Sequence, residues 1–190
     1  QRPTGRNRMN SNENQGAPAI EITDVSKRLG ARWAVARLTY TLPQGRSLLL
    51  TGHNGSGKTT LLRMIATATM PTHGSLKVLG LETRQHRDTV RPSVALLSHA
   101  SFIYEDLSAA QNLQLVSRLL GLDQGTDRVA ALLDRVGLHE RSSHPVRQFS
   151  AGMRKRLAIA RLLLKAPKLA LLDEPFGELD PAGIEQMEAL

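Results

Sequence analysis

The chain has 190 residues, 41% of them hydrophobic, enough to bury one good core and too apolar for disorder throughout. It has no cysteine, which excludes a disulfide framework, a thiolate zinc site and a cysteine nucleophile, and fits a reducing compartment. A net charge of +8 suits nucleic acid, anionic lipid or phosphate as partners, whereas the longest mainly apolar stretch, residues 157–164, contains Arg161 and falls far short of the ~20 residues a bilayer needs.

Residues 1–18 are polar and rich in Asn, Gly and Arg, and are expected to form a disordered tail ahead of one α/β domain over 19–190. From Ile20 the pattern alternates β and α. Residues 46–51 are a short apolar run that predicts a strand ending in a Gly-rich turn, and residues 59–68 then carry apolar side chains at helical period. Residues 75–79 and 93–97 predict further strands. A helical subdomain is expected over about residues 100–160. In it Ser108 and Gln111 have capping-box spacing for a helix running to Gly121, and Val129, Leu132, Leu133 and Val136 share one face of a second helix that stops at Gly137. Residues 168–172 form a continuous apolar run ending in two acids, the pattern of a buried parallel strand. Charge switches sign beside it: residues 141–168 hold eight Lys and Arg and no acid, and residues 169–190 hold six acids and no base. Such a polarity suits a site for phosphate and a metal ion, or a solvated helix face.

The run Gly52, His53, Asn54, Gly55, Ser56, Gly57, Lys58, Thr59, Thr60 satisfies the phosphate-loop pattern, and it stands between a predicted strand and a predicted helix. Its glycines let backbone N–H groups converge on a β-phosphate, and the helix N-terminus adds partial positive charge. The Lys58 ammonium reaches the β- and γ-oxygens, and Thr59 offers a hydroxyl to Mg²⁺. The strand before Asp173 and Glu174 supplies the second element this chemistry needs. Asp173 is expected to hold Mg²⁺, directly or through water, and Glu174, one residue on, to act as general base on the attacking water.

Phe149, Ser150, Ala151, Gly152 and Met153, followed by a basic helix from Arg154, resemble the signature motif of ATP-binding cassette (ABC) proteins. The family form is usually Leu-Ser-Gly-Gly-Gln, so three positions differ while Ser150 and Gly152 are kept. The resemblance covers about residues 20–190 and implies a P-loop NTPase core with a helical subdomain, binding ATP and Mg²⁺. It also implies a second cassette, as a homodimer packed head to tail, in which Ser150 and Gly152 complete the partner's γ-phosphate site. The segment from Gly177 to Asp180 resembles the loop that crosses that dimer interface. Leu29 stands where the family has an aromatic on adenine, and Trp33, close by, is expected in the core. His99 stands where the family has a Gln that approaches Mg²⁺ and senses the membrane partner. The same His occurs in the heme exporter ATP-binding subunits of cytochrome c maturation, which the segments 51–63, 97–107 and 145–179 also resemble.

That resemblance implies integral membrane permease subunits and a peripheral position on the cytoplasmic face of the inner membrane. A cassette exporting another substrate (drug, lipid or polysaccharide) and a non-transport ABC ATPase are the alternatives. The short span from Lys58 to Ser150 leaves no room for the long coiled coil of DNA-repair cassettes, so no nucleic-acid partner is expected. Phe102 and Tyr104 follow His99, either as core residues or where a transporter cassette receives a cytoplasmic helix of its membrane partner. The family carries a switch His downstream of the catalytic Glu. Leu190 falls inside the intervening helix, so a C-terminally truncated chain is expected.

Overall fold

The computed structural model describes residues 16–98, 103–122 and 126–188. Residues 1–15 of the expected tail, together with His99 and Phe102, lie outside the described residues. Near the end of the tail stretch, the Ala17 carbonyl accepts a hydrogen bond from Gln44 Nε2 at 2.8 Å.

Strict alternation of β and α does not hold at the start of the fold. Strands β1 (Ile20–Leu29) and β2 (Arg32–Leu42) pair antiparallel across a tight turn at Gly30, a connection too short for a helix. Helix α1 (Lys58–Ile65) follows, then β3 (His73–Val78) and β4 (Leu81–Glu82), giving a sheet of order β2-β1-β3-β4. Alternate residues Ile20, Ile22, Leu76 and Val78 bury one face of this sheet in a cluster with Leu61, Leu62, Met64 and Ile65 of α1. Helix α2 (Arg87–Val90) leads into β5 (Val94–Leu97).

The strand expected over residues 46–51 forms no ladder with any described strand. Leu49 is 84% exposed, and of this run Leu50 packs against the core. An apolar run becomes a strand where a neighbour accepts and donates its backbone hydrogen bonds. Among the described residues no strand pairs with it.

Helices α3 (Ala109–Leu119), α4 (Thr126–Arg135) and α5 (Ala151–Lys165) enclose a second cluster through Leu113, Leu133, Leu157 and Leu164, joined by Leu97 of β5. The capping box forms: Ser108 Oγ accepts from Gln111 N at 3.2 Å, and Ser108 N donates to Gln111 Oε1 at 2.9 Å. Such a cap contributes about 1 kcal/mol. Past α5, β6 (Leu169–Leu172) runs parallel to β5, pairing Val94 with Leu169 and Leu97 with Leu172. Its expected burial is met on one face: Leu171 lies in the α1 core, while Ala170 and Leu172 are exposed. Helix α6 (Pro181–Glu188) follows. No helix among the described residues is long and apolar enough to cross a membrane.

Candidate nucleotide-binding site

The loop from Gly52 to Gly57 delivers the chain into α1, and its shape depends on glycine. Gly57 has φ 93°, and a Cβ there would stand 2.1 Å from the Ala34 carbonyl oxygen of β2. The loop is therefore seated on the backbone of the sheet. Inside it, Ser56 N donates to His53 O at 3.2 Å, and a ring nitrogen of His53 lies 2.9 Å from Asn54 O. Lys58 folds back over the loop, its Nζ donating to Gly52 O at 2.7 Å and to His53 O at 3.0 Å. The first turn of α1 has no side-chain cap and no acid, so its N–H groups and its dipole stay open to an anion. Thr59 is exposed there and Thr60 half-buried.

The two acids leave the carboxyl end of β6, where ligands of parallel α/β sheets collect. Asp173 extends the ladder by one bond, its N–H donating to Leu97 O at 2.8 Å, and it is 6% exposed. Core packing links it to the phosphate loop, because Leu171, two residues earlier, shares a cluster with Leu61 and Leu62 of α1. Glu174 is exposed and has φ 49°, a left-handed conformation in a residue that precedes Pro175. Proline favours extended backbone before it, so this residue stores strain of about 1–3 kcal/mol. Its carbonyl accepts from Gly177 N at 3.1 Å, closing a tight turn, and from Lys155 Nζ at 2.9 Å.

Ser150 caps α5, its Oγ accepting from Met153 N at 3.1 Å. Gly152 lies against the acidic loop, where a Cβ would come within 3.0 Å of Glu178 O. Trp33 does not enter the core: it is 51% exposed, with its ring centroid 5.9 Å from that of His73. The reason is topological, since β2 is an edge strand and Trp33 stands at its turn end. Leu29, at the other side of the turn, is 53% exposed.

A cavity of about 420 Å³ opens between β5, α3 and α5, away from the phosphate loop. Val94, Leu97, Val116 and Leu162 give it apolar walls, and Arg91, Arg161 and Lys165 give it three cations with no acid in the lining. Burial lowers the pKa of Arg161, partly offset by Tyr104, and burial followed by the nearby Arg91 lowers that of Lys165. Lys165 Nζ donates to Arg91 O at 2.7 Å and Val94 O at 2.6 Å.

Two polar residues escaped the sequence reading. Asn112 is 1% exposed, and its side chain accepts from Tyr104 N at 2.9 Å and donates to Tyr104 O at 2.9 Å, clamping the loop before α3. Tyr104 is thereby turned outward, 51% exposed, and is not a core residue. The second is Lys155, 5% exposed, which merges in sequence with the basic run around it. Lys155 bonds a backbone carbonyl that the fold brings to it from 19 residues away, whereas the partners of Asn112 lie four to eight residues before it.

The chain is similar to known proteins over most of its length. The profile of the ABC transporter family matches residues 35–177. The cytochrome c biogenesis ATP-binding export protein CcmA of Nitrosococcus oceani is 37% identical over 176 residues, covering 93% of this chain and 80% of that protein. The lantibiotic transport ATP-binding protein SrtF of Streptococcus pyogenes is 34% identical over 171 residues, covering 90% and 72%. A solved ATP-binding subunit of an ABC transporter superposes with a TM-score of 0.80 at 29% identity, covering 89% of this chain and 71% of that one.

Proposed function

The chain belongs to the ABC transporter family, as an ATP-binding, ATP-hydrolysing subunit of a kind that works as a dimer with membrane permeases, and on that premise we propose that it drives heme export for cytochrome c biogenesis. The observation that carries the chemistry is the glycine loop with Lys58 folded over it at an uncapped helix N-terminus. A triphosphate entering there meets open N–H groups, and Lys58 exchanges its two carbonyl partners for phosphate oxygens. Asp173 and Thr59, with His99, are the side chains that would hold Mg²⁺. Among the described residues no cluster of three or more acids and histidines offers a full protein cage. That suits Mg²⁺, which takes one or two protein ligands plus substrate phosphates. When bound, the ion neutralises charge on the transferred phosphoryl group.

The remaining steps belong to side chains of the chain. Glu174 is the general base: its carboxylate takes a proton from the attacking water as the γ-phosphate departs from ADP. Ser150 and Gly152 serve the second subunit of a homodimer, where the Ser150-capped first turn of α5 faces the partner's γ-phosphate. Each subunit thus completes the other's site. The cationic, apolar cavity beside Tyr104 suits a cytoplasmic helix of the permease that carries a carboxylate on an apolar face. On this reading the subunit sits peripherally, on the cytoplasmic face of the inner membrane.

Heme as the exported species rests on the resemblance of His99 and its flanks to the maturation cassettes, and on the CcmA relative. The lantibiotic relative favours a second reading, export of another substrate. Deleting the gene separates the two. Heme-stained gels are expected to lose c-type cytochromes and to keep b-type ones; unchanged c-type bands in a strain without a paralogue would leave the second reading.

A further inference from the structure

We propose that Lys155 is a positioning residue for Glu174, holding the backbone of the base through one buried ammonium. The proposal rests on the reading of Glu174 as general base. An ammonium is almost never fully buried without a purpose, because leaving water is costly unless its protons are taken up. Lys155 is 5% exposed, and its Nζ donates to the Glu174 carbonyl at 2.9 Å. That oxygen also accepts from Gly177 N at 3.1 Å, so both its lone pairs are engaged.

The bond falls where the backbone needs an external hold. Glu174 has φ 49° and precedes Pro175, a combination the chain does not adopt on its own. A charge-assisted hydrogen bond from a packed helix is about twice as strong as a neutral one and fixes the carbonyl, hence the plane from which the carboxylate projects. A second seam joins the same two elements, since Gly152 leaves no more than 3.0 Å between a Cβ and Glu178 O. Lys155 therefore differs from its neighbour Arg154, whose guanidinium donates back to Phe149 O at 2.8 Å before the helix.

Three variants in the full protein test this: Lys155→Met, Lys155→Arg and Glu174→Gln. Lys155→Met should lower kcat for ATP about 10- to 100-fold, the order expected for a base misplaced by about 1 Å, and change KM less than about threefold. Lys155→Arg, still able to donate to the carbonyl, should recover most of kcat. In a Glu174→Gln background, Lys155→Met should cause no further loss of single-turnover hydrolysis, because no base is left to position. If Lys155→Met fails to fold, Lys155→Gln keeps an amide donor and should give an intermediate kcat. Wild-type kcat in Lys155→Met or Lys155→Gln, or equal losses in the Met and Arg variants, would overturn the positioning while Glu174→Gln stays inactive. Turnover retained by Glu174→Gln would overturn the reading of the base and the proposal with it.

Discussion

Gly57→Ala is the sharpest probe of how the phosphate loop is held. A methyl group at this position would stand 2.1 Å from Ala34 O and 3.3 Å from Val35 Cγ2. An ordinary C···O contact is about 3.3 Å, so either the loop or β2 must retreat by about 1 Å. The backbone adds its own cost, because φ is 93°, a region that costs an L-residue about 1–2 kcal/mol. Overpacking against a fixed carbonyl adds about 1–3 kcal/mol, for a total of about 2–5 kcal/mol. In a domain of this size that lowers Tm by about 4–20 °C. Gly55→Ala is the matched control. Its φ is 82°, yet no atom lies within 4 Å of the added Cβ. It therefore bears the backbone term alone, and the reduced freedom of the unfolded chain is the same in both variants. Thermal unfolding followed by circular dichroism, with ATP binding by calorimetry, should rank wild type above Gly55→Ala and Gly55→Ala above Gly57→Ala. Equal Tm values for the two variants would refute the seating of the loop on β2.

Glu174→Gln should retain ATP binding while turnover falls about 10²- to 10⁴-fold, and size-exclusion chromatography with Mg-ATP should show a dimer; a monomer under conditions where the wild type hydrolyses would refute the shared site. Lys77 Nζ lies 2.7 Å from Glu21 Oε1, and this hydrogen bond and charge raise its pKa. A raised folded value gives stability that is fully present below the ordinary lysine pKa and is lost as pH climbs through the folded one. The excess cost of Lys77→Met in urea unfolding should thus be constant near neutrality and shrink as pH rises past the ordinary lysine value, and a cost independent of pH would refute the pairing.

What was legible in the sequence follows from how local each signal is. The phosphate loop, the Ser108 capping box and the acids after β6 are patterns closed within a few residues, and spacing alone carries them. Residues 46–51 had the composition of a strand, but composition does not say whether a partner lies alongside, and Leu49 is left in solvent. Trp33 looked like core by residue type, yet β2 stands at the sheet edge. Lys155 is invisible for the opposite reason: its partner is set by tertiary folding, 19 residues away.

Strand β5 places Val94 in the core of α1 and Leu97 in the core of the three helices. Four residues at about 3.3 Å each make a spindle about 13 Å long joining two separately packed bodies. Leu97 O, at the end of that spindle, is the atom that holds Asp173 N. The acid at the end of β6 is thus hung from the strand that both cores share.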